Sequence, residues 1–264
     1  MDEKFTPGTG SWEAKLGFVR NAIRQELVSR QLSEHLPTYD SEVRILDVGC
    51  GQGTQVLRLA SQGYQVIGVD PSKKLLRIGR QELAQQPAAV QERVQFRHGT
   101  TEDVADVVDH DFDVVCCHGV LMYLPELQAP ISSLVELARP GGLLSVLTRN
   151  RASIAMRAGM TKDWHGAIDG FDARNYTNRL GLPDVRADDP EEVIDALKGN
   201  HAELIAWYGV RLFTDHWGDE QIPTNFEQIL DAEDEAGRRE PYKRLTSLTH
   251  VIARKTKEHG VSGE

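Results

Sequence analysis

The chain has 264 residues, enough to bury the core of one α/β domain with a small inserted subdomain. Hydrophobic residues make up 40% and charged residues 27%, and the longest apolar runs have the length of strands, which excludes membrane-spanning helices and a membrane partner. The formal net charge of −10 disfavours a broad basic surface for nucleic acid, and residues 1–10 lack a secretory signal, so we expect a cytoplasmic protein.

Short apolar runs alternate with helical stretches between residues 12 and 149. The pattern predicts a helix over Trp12–Leu36, which ends at Pro37. Strands separated by helices of such length predict βαβ units and a parallel sheet with helices on both faces. The predicted strands are Val43–Val48, Gln65–Asp70, Val94–His98, Phe112–Cys117 and Leu143–Leu147, and the predicted helical segments between them are Gly53–Ser61, Ser72–Gln85, a short turn at Thr101–Val107, and Pro130–Arg139.

The pattern changes after Arg149. Residues 150–190 predict an irregular insertion or lid with one helix at Ala152–Met160, and Pro190–Lys198 predicts another helix. Two late strands, Ile205–Phe213 and Leu248–Arg254, would form an antiparallel edge, with an acidic helix at Asp219–Gly237. The expected units are residues 1–40 (arm and helix over the expected ligand site), 41–150 (ligand-binding core), 151–200 (lid for substrate recognition), 201–255 (late strands and acidic helix that complete the sheet) and 256–264 (disordered tail).

The strongest local signal is a buried strand that runs into three spaced glycines. Asp47 lies within the strand, and the loop Gly49-Cys50-Gly51-Gln52-Gly53 opens a helix. Glycines let the backbone approach a ligand closely, and the G-x-G-x-G spacing differs from the dinucleotide fingerprint G-x-G-x-x-G. The alternative is a glycine-rich turn without a ligand. Cys50, Cys116 and Cys117 have no metal-ligand spacing, so no metal is expected.

Acidic residues follow the second and third strands. Asp70 can accept both hydroxyls of an adenosine ribose, although it could instead cap the helix that begins near Ser72. Glu102 and Asp103 could accept a hydrogen bond from an adenine amino group, or could simply be solvated.

The motifs LDVGCGQG, VIGVD, TTEDV, FDVVCCHGVLMYL and LARPGGLLSV resemble those of class I S-adenosylmethionine methyltransferases across residues 43–147. The resemblance implies a Rossmann-like fold with a mostly parallel seven-stranded sheet and an antiparallel edge. It implies S-adenosylmethionine as cofactor, with S-adenosylhomocysteine as product. Asp47 and the Gly49–Gly53 loop would surround the methionine part, Asp70 the ribose, and Glu102 and Asp103 the adenine. His118 would lie near the methionine or the reacting centre.

A narrower resemblance covers nearly the whole chain. The segments LGFVRNAIRQEL, YGVRLFTDH and REPYKRLTSLTHVIARK look like bacterial tRNA carboxymethoxyuridine methyltransferases, which esterify the carboxylate of a modified wobble uridine. Arg20 matches the arginine that binds the cofactor carboxylate in that family, where a guanidinium can bond bidentately. The segment Asn175–Leu182 is not strongly basic and is followed by acidic residues, so a small-molecule acceptor stays open beside tRNA.

The acceptor decides whether a base is needed. A carboxylate is already ionised near neutral pH, whereas a hydroxyl or amine would use a base, for which His118 is the best-placed candidate. His118 could equally be a packed, hydrogen-bonded residue. A cofactor-binding protein without catalysis is the third hypothesis, and the chain is expected to be a monomer or homodimer. The candidates for substrate binding are Tyr123, Arg149, Asn150, Tyr176, Arg211, Tyr242 and Arg244.

Overall fold

A computed structural model describes residues 18–37, 43–178, 181–218 and 220–257. The predicted N-terminal arm, the first part of the Trp12–Leu36 helix and most of the predicted tail lie outside these ranges. Within them, seven strands form one sheet and two short strands form a second. The strands are β1 Arg44–Val48, β2 Gln65–Asp70, β3 Val94–His98, β4 Phe112–His118, β5 Ala138–Arg149, β6 Asn175–Tyr176, β7 Val185–Arg186, β8 Ala202–Val210 and β9 Leu248–Lys255.

The main sheet has the strand order β3-β2-β1-β4-β5-β9-β8. Strands β1 to β5 are parallel, and β9 is antiparallel to both β5 and β8. The predicted Rossmann-like class I fold with a mostly parallel seven-stranded sheet is therefore confirmed. Antiparallel pairing is confined to the two pairs made by β9, with β5 and with β8. The carboxyl ends of the parallel strands β1 to β5 therefore still meet at one edge of the sheet.

Helices cover both faces of this sheet because its central strands are apolar on both sides. Successive residues of a strand point to opposite faces. Leu46 and Val115 join the core cluster that includes the helices Gln128–Leu137 and Pro190–Gly199, whereas Ile45 and Val114 join the cluster that includes the helix Thr54–Ser61. The helices are α1 Val19–Ser33, α2 Thr54–Ser61, α3 Lys73–Leu83, α4 Ala88–Gln91, α5 Val104–Val107, α6 Gln128–Leu137, α7 Ala152–Met160, α8 Trp164–Gly170, α9 Pro190–Gly199 and α10 Phe226–Arg238, with 3₁₀ turns at Leu121–Tyr123 and Tyr242–Leu245.

The residues Pro140-Gly141-Gly142, a combination typical of turns, lie inside the strand β5. Helix α6 ends at Leu137 and β5 begins at once with Ala138, so the predicted helix Pro130–Arg139 starts and ends too late. Gly141 has a φ of 80°, and the pairing with β4 shifts register between Phe112 and Val114. The glycine therefore produces an irregularity within the strand.

A third core cluster lies beneath α1, near the carboxyl ends of the strands. It joins Ile23 and Leu27 of α1 to Leu147 of β5 and Leu230 of α10, and Tyr176 of β6 packs against it. The 151–200 segment thus packs onto the same part of the molecule as α1. None of the helices in the described ranges is long and apolar enough to cross a membrane.

The edge strand β8 ends earlier than the sequence predicts: it stops at Val210 rather than Phe213, and Arg211 has a φ of 63°. The loop that follows is held by Glu233 of α10, which is completely buried. Its carboxylate accepts hydrogen bonds from the backbone N–H groups of Leu212 (2.6 Å) and Thr214 (2.8 Å) and from the Thr214 hydroxyl (2.6 Å). This carboxylate therefore fixes the direction in which the chain leaves the sheet.

The substitution Glu233→Ala should lower the free energy of unfolding by about 3 kcal/mol, because three buried donors lose their acceptor. Chemical denaturation followed by circular dichroism measures this loss. Glu235→Ala on the same helix is the matched control, since Glu235 is exposed and pairs with the exposed Arg239. Equal losses for the two variants would contradict the anchoring role of Glu233.

Candidate functional site

The loop between β1 and α2 is shaped by glycines with left-handed backbone conformations. Gly49, Gly51 and Gly53 have φ values of 78°, 59° and 82°. A Cβ atom on Gly49 would overlap Val120, and one on Gly53 would overlap the ring of Phe96, whereas one on Gly51 would meet open space. Gly51 therefore presents bare backbone to a groove, while Gly49 and Gly53 allow close packing behind it.

Asp70 connects this loop to the next strand. One carboxylate oxygen accepts the N–H of Gly51 and the other accepts the N–H of Ser72, each at 2.8 Å. The helix cap is Ser72 itself, whose hydroxyl accepts the N–H of Leu75 at 3.3 Å. Each carboxylate oxygen has two lone pairs, so Asp70 can still accept hydrogen bonds from a bound diol.

Asp47 lies in the wall of the groove and is 3% exposed. Burial, together with the nearby charge of Asp70, raises the pKa of Asp47 to about 7. Cys50 lines the same groove, and burial raises the pKa of its thiol well above the ordinary value. The groove therefore contains a carboxyl group that is only partly ionised near neutral pH, and a nearby positive charge would favour its ionised form.

Glu102 and Asp103 lie in an exposed turn after β3. Thr100 donates its hydroxyl proton to Asp103 at 2.9 Å, and its backbone N–H also bonds to that carboxylate. Neither acidic residue is part of the groove lining. Their assignment to adenine stays a prediction. The turn holds both residues after the end of β3, the strand that pairs with β2.

Helix α1 forms the opposite wall of the groove through Arg24, Gln25 and Val28. Burial lowers the pKa of Arg24. Arg20, which the sequence assigned to the cofactor carboxylate, lies one helical turn earlier and pairs with Asp215 at 2.8 Å. The arginine in the groove lining is thus Arg24, a residue that the sequence analysis missed although it follows Arg20 at helical spacing.

His118 ends β4 beside the groove and belongs to a buried polar chain. Its Nε2 is 2.8 Å from the hydroxyl of Ser145, which is 2.8 Å from Nε2 of His250. His250 Nδ1 is 2.8 Å from Oε1 of Gln31, whose amide donates to the carbonyl of Gly209 at 3.2 Å. The chain joins four elements, α1, β9, β5 and β4.

The direction of these hydrogen bonds fixes the protonation of His118. Because Gln31 donates through its amide, its oxygen accepts from Nδ1–H of His250. Neutral His250 then accepts the Ser145 proton on Nε2, and Ser145 accepts from Nε2–H of His118. Burial and the charge of Arg24 lower the pKa of His118 to about 3. His118 is therefore a neutral hydrogen-bonding residue, which favours the packed alternative that the sequence left open, while its catalytic role stays a prediction.

Several of the predicted substrate residues meet beside the groove. Arg149 and Arg211 both donate to the hydroxyl of Ser247, at 2.5 and 3.1 Å. Tyr176 of β6 lies with its ring centroid 4.9 Å from the Arg149 guanidinium carbon. Asn178 donates to the hydroxyl of Tyr123 at 3.3 Å, and burial raises the pKa of Tyr123 to about 12.

Three other candidates do not belong to this group. Asn150 is completely buried, and its amide donates to the carbonyls of Arg244 and Thr246, both at 2.9 Å. Asn150 thus joins the end of β5 to the segment before β9, and these bonds account for its burial without a substrate contact, which stays a prediction. Tyr242 is half exposed, and Arg244 is exposed and pairs with Glu191 and Glu240.

The comparisons with known proteins agree with this geometry. Residues 39–181 match the family profile described as a methyltransferase domain, which is more than half of the chain. The tRNA 5-carboxymethoxyuridine methyltransferase of Escherichia coli is 29% identical over 90% of this chain and 89% of its own length. A ubiquinone biosynthesis O-methyltransferase of Alkalilimnicola ehrlichii is 35% identical over 42% of this chain and 44% of its own. The solved structure of a Thermotoga maritima S-adenosylmethionine-dependent methyltransferase has a TM-score of 0.63 at 17% identity, and covers 97% of this chain and all of that one.

The chain belongs to the methyltransferase domain family. It is an S-adenosylmethionine-dependent enzyme that transfers methyl groups. The groove suits this methyltransferase: Gly51 offers bare backbone to a ligand, and Asp47 offers a carboxyl group whose ionisation a sulfonium would favour.

The substitution Asp47→Asn should have opposite effects on stability and on cofactor binding. A raised carboxyl pKa costs stability as pH rises from the unfolded value near 3.8 through about 7, so the apo variant should gain on the order of 3 kcal/mol at pH 8 and little near pH 4. Affinity for cationic S-adenosylmethionine should fall about tenfold at pH 8.

Thermal unfolding and calorimetry measure the two effects of Asp47→Asn. The control is Asp109→Asn, an exposed carboxylate paired with Arg44. In the wild type, cofactor affinity should rise with pH up to about 8, because Asp47 no longer has to release a proton on binding. A pH-independent affinity would contradict the role given to Asp47.

Proposed function

We propose that this methyltransferase esterifies a carboxylate, and that its acceptor is the carboxymethoxy group of a modified wobble uridine in tRNA. The carboxylate assignment is supported by the setting of His118: its Nε2 lies 2.8 Å from the Ser145 hydroxyl, and burial and the charge of Arg24 lower its pKa to about 3, so this histidine is a poor general base. A hydroxyl or amine acceptor needs a base near neutral pH, whereas a carboxylate is already ionised. The tRNA assignment is supported by the alignment with the Escherichia coli enzyme over 90% of this chain.

For the cofactor we propose contacts along the groove and the adjoining strand ends. The backbone of Gly49, Cys50, Gly51 and Gly53 and the carboxylate of Asp47 would surround the methionine part, with Arg24 near its carboxylate and Arg20 behind it. Asp70 would accept the ribose hydroxyls, and Glu102 and Asp103 would contact adenine. Bound S-adenosylmethionine supplies a methyl group on a sulfonium. The sets of residues come from the groove lining and from the motif positions.

The reaction requires little proton chemistry of the protein. An acceptor carboxylate oxygen forms a bond to the methyl carbon while the bond from that carbon to sulfur breaks and its electron pair stays on sulfur. No proton is transferred. The protein therefore contributes chiefly by holding oxygen, carbon and sulfur close to a line in a dry pocket. The buried chain from Gln31 to His118 supports this arrangement by fixing the end of β4.

A small apolar acceptor is the second candidate, because an apolar groove lies between α7 and α8. It has a volume of about 820 Å³ and is lined by residues that include Met156, Met160, Trp164 and Ile168. Trp164, Ile168 and Phe171 are each more than 60% exposed. Acidic residues outnumber basic residues in the segment 161–240, and this charge suits a small-molecule acceptor better than a polyanion such as tRNA.

Labelled S-adenosylmethionine should transfer label to tRNA that carries carboxymethoxyuridine, and mild alkali should release it because the product is an ester. The control is the same tRNA prepared from cells that lack the modification. Turnover should decline with added salt, since phosphate contacts release counterions. A tRNA acceptor would place the reaction in the cytoplasm. Alkali-stable label, or label only in small molecules, would remove the tRNA assignment.

With both substrates saturating, the turnover number should be nearly flat between pH 6 and 9. The acceptor ionises below this range, and His118 stays neutral throughout it because its pKa is about 3. Single-turnover measurements in buffers of constant ionic strength test this profile. An acid limb with a midpoint near 7 at saturating cofactor would indicate a general base and therefore a hydroxyl or amine acceptor.

A further inference from the structure

Among the residues that the structure describes, four arginine guanidinium groups surround the carboxylate of Asp215 beside the groove. Asp215 is 2.8 Å from Arg20, 3.4 Å from Arg157, 3.4 Å from Arg211 and 3.7 Å from Arg149. A charge-assisted hydrogen bond between a guanidinium and a carboxylate measures about 2.7–2.9 Å. By these distances only Arg20 makes such a bond with the Asp215 carboxylate, and the other three arginines lie further away.

Arg149 and Arg211 are the most deeply buried of the four, at 5% and 6% exposed. Burial and the charge of Arg20 lower the pKa of Arg211 to about 9. Burial alone would raise the pKa of Asp215, yet the charges of Arg149, Arg211 and Arg20 hold it well below the usual range. Asp215 is therefore ionised, and the cluster contains four arginines for one aspartate. A buried excess of positive charge is costly unless an anion joins it.

The hydroxyl of Ser247 cannot absorb this excess. It accepts hydrogen bonds from both Arg149 and Arg211 and donates its proton to Asp215, so its capacity is used. Glu233 reaches the same loop, but its carboxylate is bonded to the backbone of Leu212 and Thr214. The Nε–H groups of Arg149 and Arg211 are buried and have no hydrogen-bond partner among the described residues.

Arg149 and Arg211 lie where an acceptor would bind, beside the groove that would hold the cofactor. Arg149 follows Leu147 by two residues on β5, and Leu147 lines the groove. The ring of Tyr176 from the 151–200 segment covers its guanidinium at 4.9 Å. Arg24 lies in the groove lining itself and acts electrostatically on Arg211. A ligand that touches Arg149 would therefore lie between the groove and the segment expected to recognise the substrate.

We propose that Arg149 and Arg211 bind the carboxylate of the methyl acceptor, with Asp215 and Ser247 holding the two guanidinium groups in place. The proposal deepens the proposed carboxyl methyl transfer and rests on it. A guanidinium offers parallel N–H groups that match a planar carboxylate, and the two unused Nε–H groups provide the donors. If the acceptor carboxylate is held through one oxygen, the other can meet the methyl carbon.

Steady-state kinetics on the variants Arg149→Met and Arg211→Met test the assignment. The KM for the acceptor should rise about 10- to 100-fold, while the dissociation constant of S-adenosylmethionine should change less than about twofold. Arg149→Lys and Arg211→Lys keep the charge and should restore part of the loss. The control is Arg157→Met, which removes a less buried arginine that also bonds the main-chain carbonyl of Asp215.

A rise in the cofactor dissociation constant with the acceptor KM unchanged would show that the pair binds the cofactor carboxylate, which overturns the proposal. The same holds if Arg157→Met raises the acceptor KM as much as the other two variants, because the effect would then be structural. Recovery of KM by the lysine variants excludes a loss that comes only from misfolding.

A second measurement does not depend on tRNA. Phenoxyacetate, an aryloxyacetate, is titrated into the full chain with S-adenosylhomocysteine present, and phenoxyacetamide is the uncharged counterpart. The arginine Nε–H nuclear magnetic resonance signals that disappear in Arg149→Lys and Arg211→Lys should shift with the carboxylate and not with the amide. If they shift but tRNA is not methylated, the anion site stands and the tRNA assignment fails. If neither signal shifts, the anion site is refuted.

Discussion

The carboxylate of Asp70 ties the glycine loop after β1 to the end of β2, and these two segments shape the groove. It accepts the N–H groups of Gly51 and Ser72, and the N–H groups of Gly49 and Cys50 bond to the carbonyl of Val69 on β2, so the loop is held to that strand at several points. Gly49 and Gly53 reinforce the loop, since neither position has room for a side chain. A second buried acid, Asp47, lies on the neighbouring strand β1, and its own burial together with the charge of Asp70 raises its pKa to about 7. The scaffold that shapes the groove thus also makes its floor favour a cation.

The opposite charge is concentrated on the other side of the groove. Arg149, Arg211 and Arg20 lie near Asp215 beneath the 151–200 segment, although the chain as a whole carries a net charge of −10. Charges within a few ångströms in a buried environment act far more strongly than distant surface charges screened by salt. The average composition therefore says little about the charge that a substrate meets. A cationic cofactor and an anionic acceptor would each meet the side of the site that complements it.

The sequence predicted the parts of this molecule that depend on local pattern. Apolar runs located the strands β1 to β4 to within one residue, and the glycine spacing located the groove because both signals come from neighbouring residues. The placement of β9 between β5 and β8 brings His250 opposite Leu147 and within reach of Ser145, and such cross-strand partners cannot be identified before the register is known. Asn150 was assigned to the substrate because it follows a strand end, whereas the carbonyls that it binds belong to residues 94 and 96 positions later. Whether Arg20 or Arg24 lines the groove depends on how α1 packs on the sheet. Helical periodicity places the two arginines on the same face, one turn apart, and does not distinguish them.

The polar chain that ends at His118 has a further consequence for the chemistry. A histidine beside a reacting centre usually suggests proton transfer, but here the amide of Gln31 determines the direction of each bond as far as His118. To act as a base, His118 would have to become a cation in a buried position near Arg24, which the lowered pKa shows to be unfavourable. The histidine and the arginines therefore act in the same sense. Neutral His118 is a poor base for an acceptor that still carries its proton. The arginines favour an acceptor that has already lost its proton. Together they support an acceptor that arrives as an anion and leaves as a neutral ester, whose lost charge would weaken its hold on the arginines and favour release.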